Sequence, residues 1–461
     1  MTDNELIPLW KHQEKGIEFL QRNQQYNTGG GLFMGVGTGK TRTALRFVQE
    51  RGFRTILVLC PKAAGYVWQE EIDKLDLGWQ VVDLTDGSVR GRVERLAQTY
   101  PPKPNAPITL WVLNYDAILI EPMKTALMRA KFDLLIADEA HRLKSPTGKQ
   151  SVFVGRRIKF NFKYRLCLTG TPFHNGPLDV FGILRVISSK DEFKNWTAFK
   201  QRFGVWGGYN NYQLVGLKNQ DELAALVDRF AFTIKSSDVL DLPPSRHIHI
   251  PVYLEPFVMD YYREFEREYV VQVNEGTMTA GNAMVSMLRL SQLTGGFIKL
   301  DDGNPVQVSR AKRDALAEFL QDMDKAEPLV IFYRFDLELG AIREVLHNDS
   351  RSYSIVNGYT KELKNWQDGK TNTLIIQIQS GNAGINLTRA SICVYYSLDW
   401  SLGNYEQSLG RIHRPGQEKP VTYYHLSAVD TIDRDLHEAL EDKSEAVGFV
   451  TEKLKERYRG R

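Results

Sequence analysis

Short apolar runs punctuate the chain, separated by stretches in which apolar residues recur every three or four positions. In the first half the runs are GLFM (31–34), TILVLC (55–60), ITLWVL (108–113), DLLIAD (133–138) and RLCLTG (165–170). In the second half they are PLVIFY (328–333), SYSIV (352–356), TLIIQIQ (373–379), SICVYYS (391–397) and VTYYHL (421–426). Runs apolar at nearly every position belong to strands covered on both faces, and intervening helices predict parallel sheets. Two such sets, divided by a long stretch without them, predict an α/β chain of two lobes with helical insertions.

The dividing stretch covers residues 178–310. It opens with helical periodicity and turns rich in glycine and aromatics at RFGVWGGYNNYQ (202–213). DLPPSRHIHIPVYLEP (241–256) is punctuated by prolines and reads as an extended linker. Helical spacing returns in FVMDYYREFEREYVVQV (257–273) and AMVSMLRLSQLTGG (283–296). The expected organisation is a first lobe over 1–236, with its helical insertion at 178–236. A linker and helical protrusion over 237–308 and a second lobe over 309–461 follow. No internal repeat or low-complexity tract interrupts this plan. The basic tail KLKERYRGR (453–461) reads as a solvated helix end.

Composition adds bounds. Of 461 residues, 42% are hydrophobic and 25% charged, the profile of an ordinary globular protein. A formal charge of +3 neither demands nor excludes nucleic acid, because a basic groove can be offset elsewhere. Cys60, Cys167 and Cys393 sit in apolar runs without metal-ligand spacing and read as buried thiols in a reducing compartment. The start MTDNELIPLW lacks the features of a secretory signal, and no run approaches the ~20 residues of a membrane span. A cytoplasmic protein without a membrane partner is expected.

Three stretches carry chemistry. GVGTGKT (35–41) follows a strand and precedes a helix, the setting of a phosphate-binding loop. Gly37, Thr38 and Gly39 let backbone N–H groups turn inward, Lys40 reaches the β- and γ-phosphates, and Thr41 offers a hydroxyl to Mg²⁺. Met34 stands where the full pattern has a small residue. DLLIADEAHRLKS (133–145) releases Asp138 and Glu139 at the end of a buried run, placed to hold Mg²⁺ and to orient an attacking water. In QSLGRIHRPGQ (407–417), Arg411 and Arg414 are three residues apart. On one helical turn they point the same way and need an anion opposite them.

A phosphate loop, then DEAH (138–141), LTGTP (168–172) and QSLGRIHR (407–414), in this order, resembles the superfamily-two helicase and translocase motors. The last stretch matches their Q-x-x-G-R-x-x-R pattern at every fixed position. DEAHRLKS (138–145), LTGTPFHN (168–175) and RIHRPGQ (411–417) are more narrowly similar to the Swi/Snf-type ATPases. FKQRFGVW (199–206) resembles their compact, annealing-helicase-like branch, and the lack of appended modules resembles phage and prokaryotic members. The resemblance extends from PLWKHQEKGIEFL (8–20) to near residue 440.

It implies two RecA-like lobes. Lys40, Glu139, Arg411 and Arg414 are the implied catalytic residues, the arginines facing the γ-phosphate of ATP. Gln13 is the implied adenine reader, and Asp138, His141, Gly384 and Gln407 complete the nucleotide set. CPKAAGYVWQEE (60–71) and VLNYDAI (112–118) resemble segments that grip a phosphate backbone, through Pro61, Lys62, Asn114 and Tyr115. Thr169 resembles an element coupling nucleotide state to that grip. VIFYRF (330–335), QSGNAGINL (379–387) and SLDWSLGNYEQ (397–407) supply Arg334, Ser380 and Trp400. In FTIKSSDVLDLPP (232–244), Lys235 matches a basic element, but Phe232 and Thr233 stand where arginines are usual.

The implied activity is ATP-dependent translocation on double-stranded DNA by a monomer, with ATP and Mg²⁺ as cofactors. Two other readings stay open at this point: a strand-separating helicase or RNA remodeller, and an ATP-binding scaffold subunit.

Overall fold

Each apolar run lies on a strand of one of two parallel sheets. The structure, a computed structural model, describes residues 6–24, 29–173, 176–189, 193, 195–207, 213–275, 278, 280–299, 304–380, 385–442 and 446–458. The chain divides into two units, Met1–Asp241 and Leu242–Arg461.

In the first unit the strands are β1 (Gly29–Met34), β2 (Thr55–Cys60), β3 (Gln80–Asp83), β4 (Thr109–Asn114), β5 (Phe132–Asp138), β6 (Phe162–Thr169) and β7 (Ala231–Ile234). Their spatial order is β3-β4-β2-β5-β6-β1-β7. In the second unit they are β8 (Ser245–Val252), β9 (Leu329–Tyr333), β10 (Tyr353–Val356), β11 (Thr373–Gln377), β12 (Ile392–Tyr395) and β13 (Val421–Ala428), ordered β8-β13-β12-β9-β11-β10. The helices that matter below are α1 (Lys11–Gln24), α2 (Lys40–Arg51), α3 (Val180–Ile187), α4 (Pro256–Asn274), α5 (Ala280–Thr294), α6 (Leu402–Ile412) and α7 (Ile432–Glu441). Among the described residues no helix is long and apolar enough to cross a membrane.

Alternation along each central strand feeds two cores. In the first unit Leu57, Leu59, Trp111, Leu113 and Leu135 pack on one face, while Ile56, Val58, Leu110, Val112, Leu134 and Ile136 pack on the other. In the second, Val330, Phe332, Leu374 and Ile376 oppose Leu329, Ile331, Tyr333 and Ile375. Each such side chain contributes roughly 1.5–3 kcal/mol when fully buried. The three cysteines are buried and unbridged.

Two local outcomes depart from the sequence pattern. SRHIHIPV (245–252), read as linker, is the edge strand β8, paired in parallel with β13 from Ser245–Val421 to Val252–Ala428. An edge strand is bonded on one side only, so it tolerates Pro251. The stretch 237–308 is divided by the unit boundary: α4 and α5 place Tyr262, Tyr269, Met287, Leu290 and Leu293 in the core of the second unit.

α3 shows how the first unit satisfies buried backbone. Its sequence VFGILRVI is buried at every position, so water cannot reach its last carbonyls. Buried cations meet them instead: Lys159 Nζ donates to Arg185 O (3.2 Å), Arg165 Nε to Val186 O (2.8 Å) and Arg165 Nη2 to Ser188 O (3.2 Å). Positive charge is also what the negative end of a helix favours. Burial pushes the Arg165 pKa down to about 10, which leaves it charged at neutral pH. Arg165→Met removes the donor from Val186 O and Ser188 O, and from Lys159 O and Phe162 O (3.4 and 3.5 Å), at about 1–3 kcal/mol for each carbonyl left unpaired. The urea midpoint should fall clearly, whereas Lys163→Met, which breaks only a surface pair with Asp133, should change it by at most ~1 kcal/mol. Equal midpoints would contradict this account of α3.

Candidate nucleotide-binding site

The turn from β1 into α2 is made by two glycines in the left-handed region, Gly37 (φ 81°) and Gly39 (φ 82°). Thr38 is fully buried between them and donates to Gly35 O at 2.8 Å. Lys40 folds back over the strand end and donates to Met34 O (2.9 Å) and Gly35 O (3.2 Å). Met34 contributes only its carbonyl to the loop, while its side chain is buried in the core. Its departure from the small-residue pattern therefore leaves the loop geometry intact.

Distant segments brace this loop. Gln13 on α1 is buried, accepts from Trp10 N (2.9 Å) and donates to Thr38 O (3.0 Å), beside His12 Nε2 at 2.9 Å from the same oxygen. Gly35 N donates to Ile234 O (2.9 Å), and Ser236 Oγ donates to Val36 O (2.7 Å). A Cβ on Gly35 would lie 2.3 Å from Ser236 Oγ. The sequence reading missed Ser236; its signal was the segment marked only for Lys235, whose side chain is exposed.

β6 separates β1 from β5, so the acidic pair ends one strand away from the strand that carries the loop. Glu139 takes a left-handed conformation (φ 50°) and its N–H donates to Asp138 Oδ1 (3.0 Å). A non-glycine residue there costs roughly 1–2 kcal/mol, and such strain clusters at functional turns. Burial, then the Glu139 charge, pushes the Asp138 pKa up to about 7 against the Lys40 ammonium. Tyr115 donates to Asp138 O at 2.8 Å. Glu139 Oε2 lies 3.3 Å from His141 Nδ1, which is 3.4 Å from Thr169 Oγ1. A Cβ on Gly170 would come within 3.5 Å of Lys40 Nζ. Two partly buried carboxylates against one lysine leave excess negative charge, and a half-buried Thr41 hydroxyl starts α2. This hard oxygen set fits Mg²⁺.

In the second unit Gln407 and Arg411 lie buried on α6. The helix ends at Ile412, so Arg414 is not on the same helical turn as Arg411. The cause is Pro415, which disfavours helical backbone at the residue before it. Arg414 donates to Ile385 O at 3.4 Å; its Nε is buried without a hydrogen-bond partner, and among the described residues it has no carboxylate partner. Burial lowers its pKa. Gly384 lies outside the described residues.

The residues expected to meet DNA divide by burial. Lys62 is exposed; Arg334 and Ser380 are half-buried, Arg334 with Nε 3.1 Å from Asp399 Oδ1 and Ser380 donating to Gln377 Oε1 (3.3 Å). Pro61 and Asn114 are buried, the Asn114 Oδ1 accepting from Arg92 (3.1 Å). Tyr115, Thr169 and Trp400 have interior side chains, Trp400 donating to Ser291 Oγ (3.0 Å). These three therefore support strand ends and cores, and their side chains do not face solvent.

Residues 12–294 match the SNF2-related domain, more than half of the chain. The chain belongs to the SNF2-related domain family. Residues 311–416 match the helicase conserved C-terminal domain. Among relatives, protein p41 of Acyrthosiphon pisum secondary endosymbiont phage 1 is 25% identical over 92% of this chain and 94% of its own length. The mouse DNA annealing helicase and endonuclease ZRANB3 is 24% identical over 92% of this chain but 39% of its own length. A Mycoplasma genitalium ATP-dependent helicase, MG018, is 22% identical over 97% of this chain and 42% of its own. Among solved structures, the Sulfolobus solfataricus SWI2/SNF2 ATPase core in complex with dsDNA is 19% identical, with a TM-score of 0.44 over 97% of this chain and 96% of that one.

The left-handed turn of this SNF2-related chain can be tested at Gly39, where a Cβ would lie 2.1 Å from Gln13 Nε2. Gly39→Ala should lower the melting temperature, from ~1–2 kcal/mol of backbone strain plus displacement of Gln13. Adding Gln13→Ala should recover the steric part only. Additive losses in the double variant would mean that the two residues do not meet.

Proposed function

We propose that this chain is an ATP-dependent motor that moves along double-stranded DNA, hydrolysing ATP to ADP and phosphate. The observation that carries the reading is the meeting of Lys40 with the Asp138–Glu139 pair at the ends of two parallel strands that flank β6. Lys40 neutralises the β- and γ-phosphates as negative charge passes to the leaving ADP. Glu139, held in its strained turn beside His141, orients and polarises the water that attacks the γ-phosphorus. Mg²⁺, when bound by the Thr41 hydroxyl and Asp138, neutralises charge on the phosphate oxygens. Arg411 and Arg414 supply cations to the transferring phosphoryl group; the buried, unpartnered Nε of Arg414 supports an anionic ligand. Lys62 and other exposed polar groups contact the DNA backbone, which makes binding independent of sequence and weaker in salt. The name of the mouse relative, a DNA annealing helicase, supports DNA rather than RNA as the track.

Glu139→Gln should keep ATP affinity within a few-fold while turnover falls at least ~100-fold, the low end for loss of a positioned acid–base group. Arg414→Ala should lower single-turnover hydrolysis by ~10³ without a matching loss of affinity. Near wild-type hydrolysis in Glu139→Gln, or equal losses of rate and affinity in Arg414→Ala, would remove these roles.

A further inference from the structure

Away from the nucleotide residues, the second unit gathers histidines on one face of its sheet. His247 and His249 alternate along β8, His249 pairing with His425 on β13, and α7 lays His437 over them with its ring 4.2 Å from that of His425. His425 and His437 are almost fully buried, and His247 is half-buried. His247 Nδ1 is 3.0 Å from His425 Nε2. The Tyr405 hydroxyl is 3.4 Å from His247 Nδ1 and 3.2 Å from His437 Nε2. One ring nitrogen from each of His247, His425 and His437 lies within 4.8 Å of the other two.

Two imidazole nitrogens facing each other can share one proton and no more. A nitrogen of His437 lies within 4.8 Å of both, and the Tyr405 hydroxyl reaches His247 and His437, so the three rings and the phenol oxygen cluster around one small volume. A tetrahedral ion with ~2.0–2.1 Å bonds sets its nitrogens roughly 3.3 Å apart, close to the separation of His247 and His425. The far nitrogen of His437, Nδ1, faces Glu441 Oε2 at 3.6 Å, just beyond hydrogen-bond length and on the side where ligating histidines usually have a carboxylate.

We propose that His247, His425 and His437 form a binding site for a transition-metal dication, Zn²⁺ by preference, with the Tyr405 hydroxyl at the fourth position. The set contains imidazole and no carboxylate, which selects against Mg²⁺ and Ca²⁺. Bound metal clips the edge strand β8 to β13 and α7, fastening the first strand of the second unit to its core.

The test uses the full chain, stripped with chelator and kept in excess Mg²⁺ to occupy oxygen-donor sites. Titrated Co²⁺ should saturate at one equivalent with the intense visible bands of four-coordinate cobalt, and Zn²⁺ should displace it and raise the melting temperature. His247→Gln, on a half-buried edge position, should still melt cooperatively but lose the bands, as should His437→Gln. Glu441→Gln should weaken binding by ~10–100-fold, and His249→Gln should leave it unchanged. Absence of the bands in the wild type, or bands that persist in His247→Gln and His437→Gln, would overturn the proposal and leave the cluster a hydrogen-bonded core.

Discussion

A buried strand must give way to a helix within five residues between Met34 and Lys40, and only a backbone with two left-handed positions does this. Gly37 and Gly39 supply them. The consequences spread through the first unit. Carbonyls turned toward the interior by the bend need donors, which Lys40, Gln13 and Ser236 provide from three different elements. The N-terminus of α2 is left facing the loop, and free N–H groups there favour an anion. A helix end that favours an anion is thus the by-product of closing this turn.

Parallel strands convert that local geometry into a site. Because all strands of a sheet run the same way, their carboxyl ends share one edge, where ligands of open α/β sheets bind. In the first unit that edge carries Met34, Asp138 and Thr169 on β1, β5 and β6. In the second it carries Arg334 just after β9 and Ser380 shortly after β11. Electrostatics then separates the residues: Lys40 tempers two crowded carboxylates, while Arg414 is half-buried and, among the described residues, has no carboxylate partner.

What could be read from residues alone follows from burial. Every central strand was visible because both its faces are covered and its run is nearly all apolar. Within the two parallel sheets, the three strands without a legible run, β3, β7 and β8, are edges with exposed positions, and the prolines around β8 made it look like linker. Motif geometry was legible where it depends on backbone and strand ends, as in GVGTGKT and DEAH. It was not legible for Tyr115 and Trp400, because an aromatic ring with a polar tip suits a core and a surface equally. Ser236 escaped because its partner, Val36, is 200 residues away. The shared helical turn expected for Arg411 and Arg414 failed at Pro415, a local signal that was present in the sequence.

The central claim, a motor on double-stranded DNA, meets its most direct test in steady-state ATP turnover with equal lengths of duplex DNA, single-stranded DNA and RNA. The account predicts the greatest stimulation by duplex DNA, independent of its sequence and falling steeply as salt rises. Stimulation by RNA equal to or above that by duplex DNA, or turnover indifferent to all three, would contradict it.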